Sequence, residues 1–275
     1  MGGMSATGGN AAAAAPLSVP GLRAAAVRPG GLWTDIAVVA ETGSTNADLL
    51  AAAGRAEPEG LVLAAETQTD GRGRLGRAWL SVPDGALTFS VLLRPQSVPQ
   101  AVRGWLPLLA GVAVASALRR VPGVDARLKW PNDVLVNEGK VAGILAEQAG
   151  GAIVVGIGIN VRARQQDLPV PTATSLELLG AADVDRSELL AAVLGDLERW
   201  YRRWTGTPAG DADGCGLRQA YLRLSATVGR PVQVYLPGGQ VLAGMGHDVD
   251  ATGRLLVRSA AGLVAVSAGD VVHVR

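Results

Sequence analysis

The sequence predicts an α/β (α+β) fold, a mixed-sheet domain followed by a small β-barrel. Three observations carry that reading. Strand-like and helix-like segments alternate from Ile36 to Leu224. Leu106–Arg120 is apolar almost throughout, as a buried helix must be. After about Ser225 the pattern changes to five short strands separated by turn residues. The chain has 275 residues, 48% of them hydrophobic, enough to bury an ample core without disulfides.

Residues 1–30 are rich in Gly, Ala and Pro with no sustained apolar face, and predict a disordered tail. Ile36–Ala40 reads as the first strand. Thr45-Asn46-Ala47-Asp48 has the form of a helix capping box, continued by Leu49–Ala53. Leu61–Glu66 and Leu87–Leu93 are strands, and Pro122-Gly123 stops the apolar helix. Arg127–Trp130, Asp133–Val136 and Lys140–Glu147 follow as strands, with Asn137-Glu138-Gly139 as a hairpin turn; Gly150-Gly151 leads into Ala152–Ile159. Asp185 caps a helix over Arg186–Trp204 whose apolar face is Leu189, Val193, Leu197, Trp200 and Trp204. Gln219–Leu224 is a short connecting helix. The five barrel strands are Pro231–Leu236, Gln240–His247, Leu255–Arg258, Leu263–Ser267 and Val271–Val274. The expected division is therefore a tail (1–30), a main domain (31–224) and a barrel (225–275).

Composition excludes several classes. Net charge is +1, so no global field favours nucleic acid or an anionic membrane, and no apolar run reaches membrane-spanning length. A single cysteine, Cys215, allows no disulfide framework and fits a reducing, cytoplasmic compartment. Both histidines, His247 and His273, fall in the barrel and read as incidental there, leaving the main domain without a histidine base.

Two clusters carry chemistry. Gly71-Arg72-Gly73-Arg74-Leu75-Gly76-Arg77 has neither helical nor strand periodicity. As a loop it brings permanently charged guanidinium forks and close-approaching backbone to an anionic ligand; a solvated basic turn or a nucleic-acid contact has the same composition. Lys129-Trp130-Pro131-Asn132-Asp133 interrupts a strand at a proline beside charged residues. Lys140 opens the next strand, near both through the hairpin. Gly156-Ile157-Gly158-Ile159-Asn160 lacks the third glycine of a dinucleotide fingerprint; its glycines let a ligand or a neighbouring strand lie close.

Ser44-Thr45-Asn46, Gln68 ahead of Gly71–Arg77, Lys129–Asp133, Lys140–Leu145 and Gly156–Asn160 occur in an order and spacing that resembles the biotin protein ligases of the monofunctional type. The resemblance covers about Thr34–Arg275. It implies a catalytic domain related to class II aminoacyl-tRNA synthetases plus an SH3-like barrel. It also implies activation of biotin by ATP and Mg²⁺ to biotinyl-5′-AMP, then transfer to a lysine of a biotin carrier domain of a carboxylase. By the same resemblance Ser44, Thr45, Asn46 and Gln68 bond the ureido head of biotin, and Trp79 walls its pocket. Gly71, Arg72, Gly73 and Arg74 close over biotin and phosphate, and Arg77, Trp130, Asn132 and Asn160 serve the adenylate. Lys140, Arg72, Lys129 and Asp133 are the catalytic set, Asp133 with Mg²⁺ or the incoming amine. Leu75 stands where members often carry another arginine. Repressor-type members have an N-terminal winged helix of about sixty residues, so no DNA binding is expected; the oligomeric state is left open. A lipoate–protein ligase is the nearest alternative, and an Arg/Gly nucleic-acid module the alternative of another class. Few aromatic residues argue against the latter.

Overall fold

The computed structural model describes residues 15–80, 82 and 85–274. Its element order is α1 (Val19–Ala26), β1 (Asp35–Thr42), α2 (Thr45–Gly54), β2 (Leu61–Gln68), β3 (Ala86–Leu93), α3 (Trp105–Leu118), β4 (Arg127–Lys129), β5 (Asp133–Val136), β6 (Gly139–Ala149), β7 (Ala152–Asn160), α4 (Arg186–Thr205), α5 (Leu217–Leu224), β8 (Pro231–Tyr235), β9 (Val241–Val249), β10 (Leu255–Ser259), β11 (Gly262–Val266) and β12 (Asp270–His273). Among the described residues, no helix is long and apolar enough to cross a membrane.

A seven-stranded sheet runs β1-β2-β3-β7-β6-β5-β4, parallel at β1–β2 and antiparallel elsewhere. Strand alternation gives it two distinct faces. Leu87, Phe89, Val91, Ile153, Val155, Ile157 and Ile159 enter one large core with the apolar helix α3 and the inner face of α4. Burying each such side chain contributes roughly 1.5–3 kcal/mol. On the opposite face Leu92, Ala152 and Val154 meet Leu49, Ala52 and Ala53 of α2, which covers only part of it. The uncovered part carries Thr88, Ser90, Gly143, Gly156 and Gly158, and there the cavity lies.

The expected tail is corrected from residue 15 onward; residues 1–14 lie outside the described residues. Ser18 caps α1 by accepting from Gly21 N at 3.2 Å, with Pro20 in the first turn, and Leu22 and Ala26 bury one turn apart. Leu17 N donates to Glu66 Oε1 (2.7 Å), while the buried Arg186 pairs with Glu66 and donates to Ala15 O. The sequence hid this helix because its buried face is only Leu22 and Ala26. The capping reading of α2 is also shifted by one residue. Ser44 is the cap, and the Thr45 hydroxyl points instead to Gln68 and Ser90.

The C-terminal unit is a five-stranded antiparallel sheet in the order β11-β10-β9-β8-β12. Val232, Val234, Val249, Leu255, Val257, Val266 and Val271 form its core, each at most 3% exposed. It seats against the main domain through indole donors: Trp130 Nε1 to Gly253 O (3.1 Å) and Trp105 Nε1 to Ala251 O (3.0 Å).

Candidate active site

The cavity has a volume of about 690 Å³ and opens between the sheet's uncovered face, the Arg/Gly loop, the segment around Val170 and the barrel. Volumes of this order hold nucleotide-sized ligands. Its floor follows from register. Asp133, Gly143, Gly158 and Thr88 are successive cross-strand partners, and Leu145, Gly156 and Ser90 form the next row. The glycines are there for space. A Cβ on Gly158 would stand 2.2 Å from the Trp79 indole, and one on Gly156 would stand 2.2 Å from Asn46 Oδ1. In place of the expected neighbouring strand, two side chains, Trp79 and Asn46, fill the space over these glycines.

One end of the cavity is a polar chain. Thr45 N donates to Gln68 Oε1 (2.8 Å), Thr45 Oγ1 and Ser90 Oγ are 2.7 Å apart, and Ser90 Oγ donates to Asn46 Oδ1 (2.6 Å). Asn46 Nδ2 donates onward to Glu147 Oε2 (2.7 Å). The Glu147 carboxylate can only accept, which fixes the Asn46 amide with its oxygen toward Ser90. Ser44, Thr45 and Asn46 are each under 5% exposed, and a chain so enclosed is rigid.

At the centre Lys140 Nζ stands 2.6 Å from Asp133 Oδ1. A β-bulge aims it there. Val134 pairs with Ala142 but Leu135 pairs with Lys140, leaving Val141 unpaired. With regular alternation and no bulge, Lys140 would share the core-facing side of Ala142 and Ile144. Lys140 Nζ also lies 5.9 Å from the centroid of the Trp79 ring. Lys129 lines the same wall; burial, then Lys140 and Arg77, pull its ammonium below its ordinary pKa, while Asp133 opposes them.

The Arg/Gly loop forms the lid side. Arg74 donates to Asn132 Oδ1 (3.0 Å) and to Gly269 O (3.3 Å), and Arg77 pairs with Asp270 of the barrel. Arg72 is half exposed beside Asp70.

The structure brings most expected site residues together. Ser44, Thr45, Asn46, Gln68, Arg72, Gly73, Arg74, Arg77, Trp79, Lys129, Trp130, Asn132, Asp133, Lys140 and Asn160 all line the cavity. Gly71 does not. It lies in a recess behind the loop, where a Cβ would meet Trp79 O at 2.4 Å, so it shapes the loop. Trp130 is 2% exposed with its N–H spent on the barrel, which makes it a wall. Asn160 donates to Thr174 O (3.0 Å). The sequence reading missed Thr88 and Ser90, although polar residues alternating with Leu87, Phe89 and Val91 were a usable signal. It missed Asp270, for which the sequence holds no signal. His273 is not incidental either. Its Nε2 is 3.2 Å from Thr227 Oγ1, which accepts from Trp130 N (3.0 Å), so it braces the Lys129–Asp133 segment.

Residues 41–163 match the Biotin/lipoate A/B protein ligase family, and residues 227–274 match the Biotin protein ligase C terminal domain. The biotin–[acetyl-CoA-carboxylase] ligase of Mycobacterium tuberculosis is 44% identical over 265 residues, covering 94% of this chain and 97% of the relative. The chain belongs to the biotin protein ligase family. The biotin–[acetyl-CoA-carboxylase] ligase of Paracoccus denitrificans is 36% identical, covering 85% of this chain and 98% of its own length. The solved structure of the biotin protein ligase from Aquifex aeolicus in complex with biotin and ATP is similar at a TM-score of 0.72 and 30% identity, covering 88% of this chain and 100% of that one. The two stretches by which the sequence resembles biotin protein ligases, Gly71–Arg77 and Lys129–Asp133, touch here through Arg74 and Asn132.

Proposed function

We propose that this cavity activates biotin with ATP and transfers it to a lysine of a biotin carrier domain. One observation carries the reading: a buried polar chain, the Lys140–Asp133 pair and an arginine-bearing loop line a single cavity. Biotin's ureido group offers two N–H donors and one carbonyl acceptor, and the Thr45, Ser90 and Gln68 side chains complement it. Its ring lies along the glycine floor against Trp79. Its carboxylate then reaches Lys140 and attacks the α-phosphorus of ATP; the bond to the bridging oxygen breaks and pyrophosphate leaves, giving biotinyl-5′-AMP. Lys140, with Arg72 and Arg74 from the loop, offsets the negative charge that builds on the phosphoryl oxygens. Chemistry of this kind depends mainly on positioning and electrostatics. The amine of the carrier lysine next attacks the acyl carbonyl, and AMP departs. Asp133, beside Lys140, orients that amine on this reading.

Mg²⁺, bound to the triphosphate, would offset phosphate charge, and Asp133 would be the residue to hold it. Among the described residues no group of three His, Cys, Asp or Glu forms a metal cage. A single carboxylate such as Asp133, plus phosphate oxygens and water, is an ordinary set for this ion. We assign residues up to about 224 to catalysis and the barrel to holding the loop, and we place the enzyme in the cytoplasm. Lipoate fits less well. Its dithiolane ring has no donors, and it would leave the Thr45–Gln68–Ser90–Asn46 chain without its complement, a mismatch that sites built for hydrogen bonding reject strongly. Incubation with ATP, Mg²⁺, a carrier domain and either labelled biotin or labelled lipoate tests the reading. Labelled carrier with biotin alone is expected; labelling with lipoate alone, or with neither, overturns it.

A further inference from the structure

The barrel presents an apolar face to solvent that starts at the cavity mouth. Along β8 and β12 the inward residues are Val232, Val234 and Val271, so Gln233, Tyr235, Asp270 and Val272 point outward. Register extends this face across three strands. Asp270, Tyr235 and Val241 are successive partners in one row, and Val272, Gln233 and Ala243 in the next. Tyr235 is 47% exposed, Val241 52% and Val272 46%. Single exposed apolar residues are ordinary, but Tyr235, Val241 and Val272 gather on one face of adjacent strands with Asp270 and Gln233 between them, and such a cluster marks a contact surface. This cluster is fixed relative to the chemistry, because Asp270 within it holds Arg77 of the loop and Tyr235 and Val272 form the lip of the cavity.

We propose that this outward face of β8, β9 and β12 is the docking surface for the acceptor protein, resting on the ligation reading above. A lysine side chain is short. For its amine to reach the Lys140–Asp133 pair, the body of the acceptor must sit on the lip, and Tyr235 and Val272 are part of that lip. The acceptor therefore carries apolar surface beside its lysine. A second copy of this chain seated on the same face would obstruct the mouth that the acceptor has to enter. The part of the face outside the cavity, Val241 and Ala243, sets affinity for the acceptor and takes no part in adenylate formation.

The test uses the full chain with Val241→Lys, and with Val241→Lys combined with Ala243→Lys, both changes outside the cavity. Circular-dichroism melts confirm folding, and Val241→Lys alone serves if the double variant is unstable. Three rates are measured: biotin-dependent pyrophosphate exchange, trapping of the adenylate by hydroxylamine, and transfer to a carrier domain. Exchange and trapping are expected to match wild type while KM for the carrier rises about tenfold, the loss of one good apolar anchor. An unchanged carrier KM overturns the docking surface. So does a wild-type dimer that the variants break without affecting transfer. Absence of exchange in the wild type is a different failure, that of the ligation reading itself.

Discussion

Lys140 and Asp133 form an ion pair, Nζ to Oδ1 at 2.6 Å, across two strands whose register a bulge has shifted by one residue. The pair puts one cation and one carboxylate at the same point of the cavity, where in the proposed reaction a phosphoryl group gains charge and an amine is later oriented.

Lys140→Ala is expected to lose the first half-reaction. Removing a preorganised charge contact from an enclosed site costs roughly 2–4 kcal/mol of transition-state stabilisation, about 30- to 1000-fold in rate. Biotin-dependent pyrophosphate exchange reads this directly, and a near-wild-type rate would sink the assignment of Lys140.

Gly158→Ala is expected to weaken biotin binding at least tenfold, because its Cβ would stand 2.2 Å from the Trp79 indole and push it off the floor. Gly143→Ala should be milder, its Cβ standing 3.1 Å from the same ring. Calorimetric titration with biotin checks the order; equal affinities in the two variants would remove Trp79 from the site.

Asp270→Asn is expected to loosen the Arg/Gly loop by weakening its hold on Arg77 and Arg74. Trypsin should then cut after Arg72, Arg74 or Arg77 faster than in the wild type when no ligand is added, and biotin with ATP should slow the cut in both. Identical cleavage rates without ligand would show that the barrel does not hold the loop.

His273 makes stability depend on pH. Burial, then Lys129 and Arg230, lower its pKa from the ordinary 6.5, and Glu138 only partly opposes them. The unfolded chain therefore takes up the proton first as pH falls. The stability from a neutral His273 is complete above about 6.5 and is lost as pH drops through that value toward the lower folded one. Melting temperatures from pH 8 to 5.5 should fall less in His273→Gln than in the wild type. Parallel slopes would assign the acid sensitivity to other groups.

The sequence alone determined the two-part architecture, because apolar runs, glycine turns and caps are local signals. Leu106–Arg120 had to be a buried helix, and the turns after Ser225 had to give short strands. It also marked the two charged clusters of the candidate site, since Gly71–Arg77 and Lys129–Asp133 pair residue types with spacings that few other functions need. Only the tertiary structure decided where those groups point. The bulge at Val141 turns Lys140 from core to cavity, and a bulge arises from the pairing of two strands, which neither strand records by itself. The barrel's Asp270 reaches Arg77 across 193 residues, a contact made by domain seating. The helix at Val19–Ala26 was hidden for the same reason. Its few apolar residues become a face only when β1 and α4 are there to cover them.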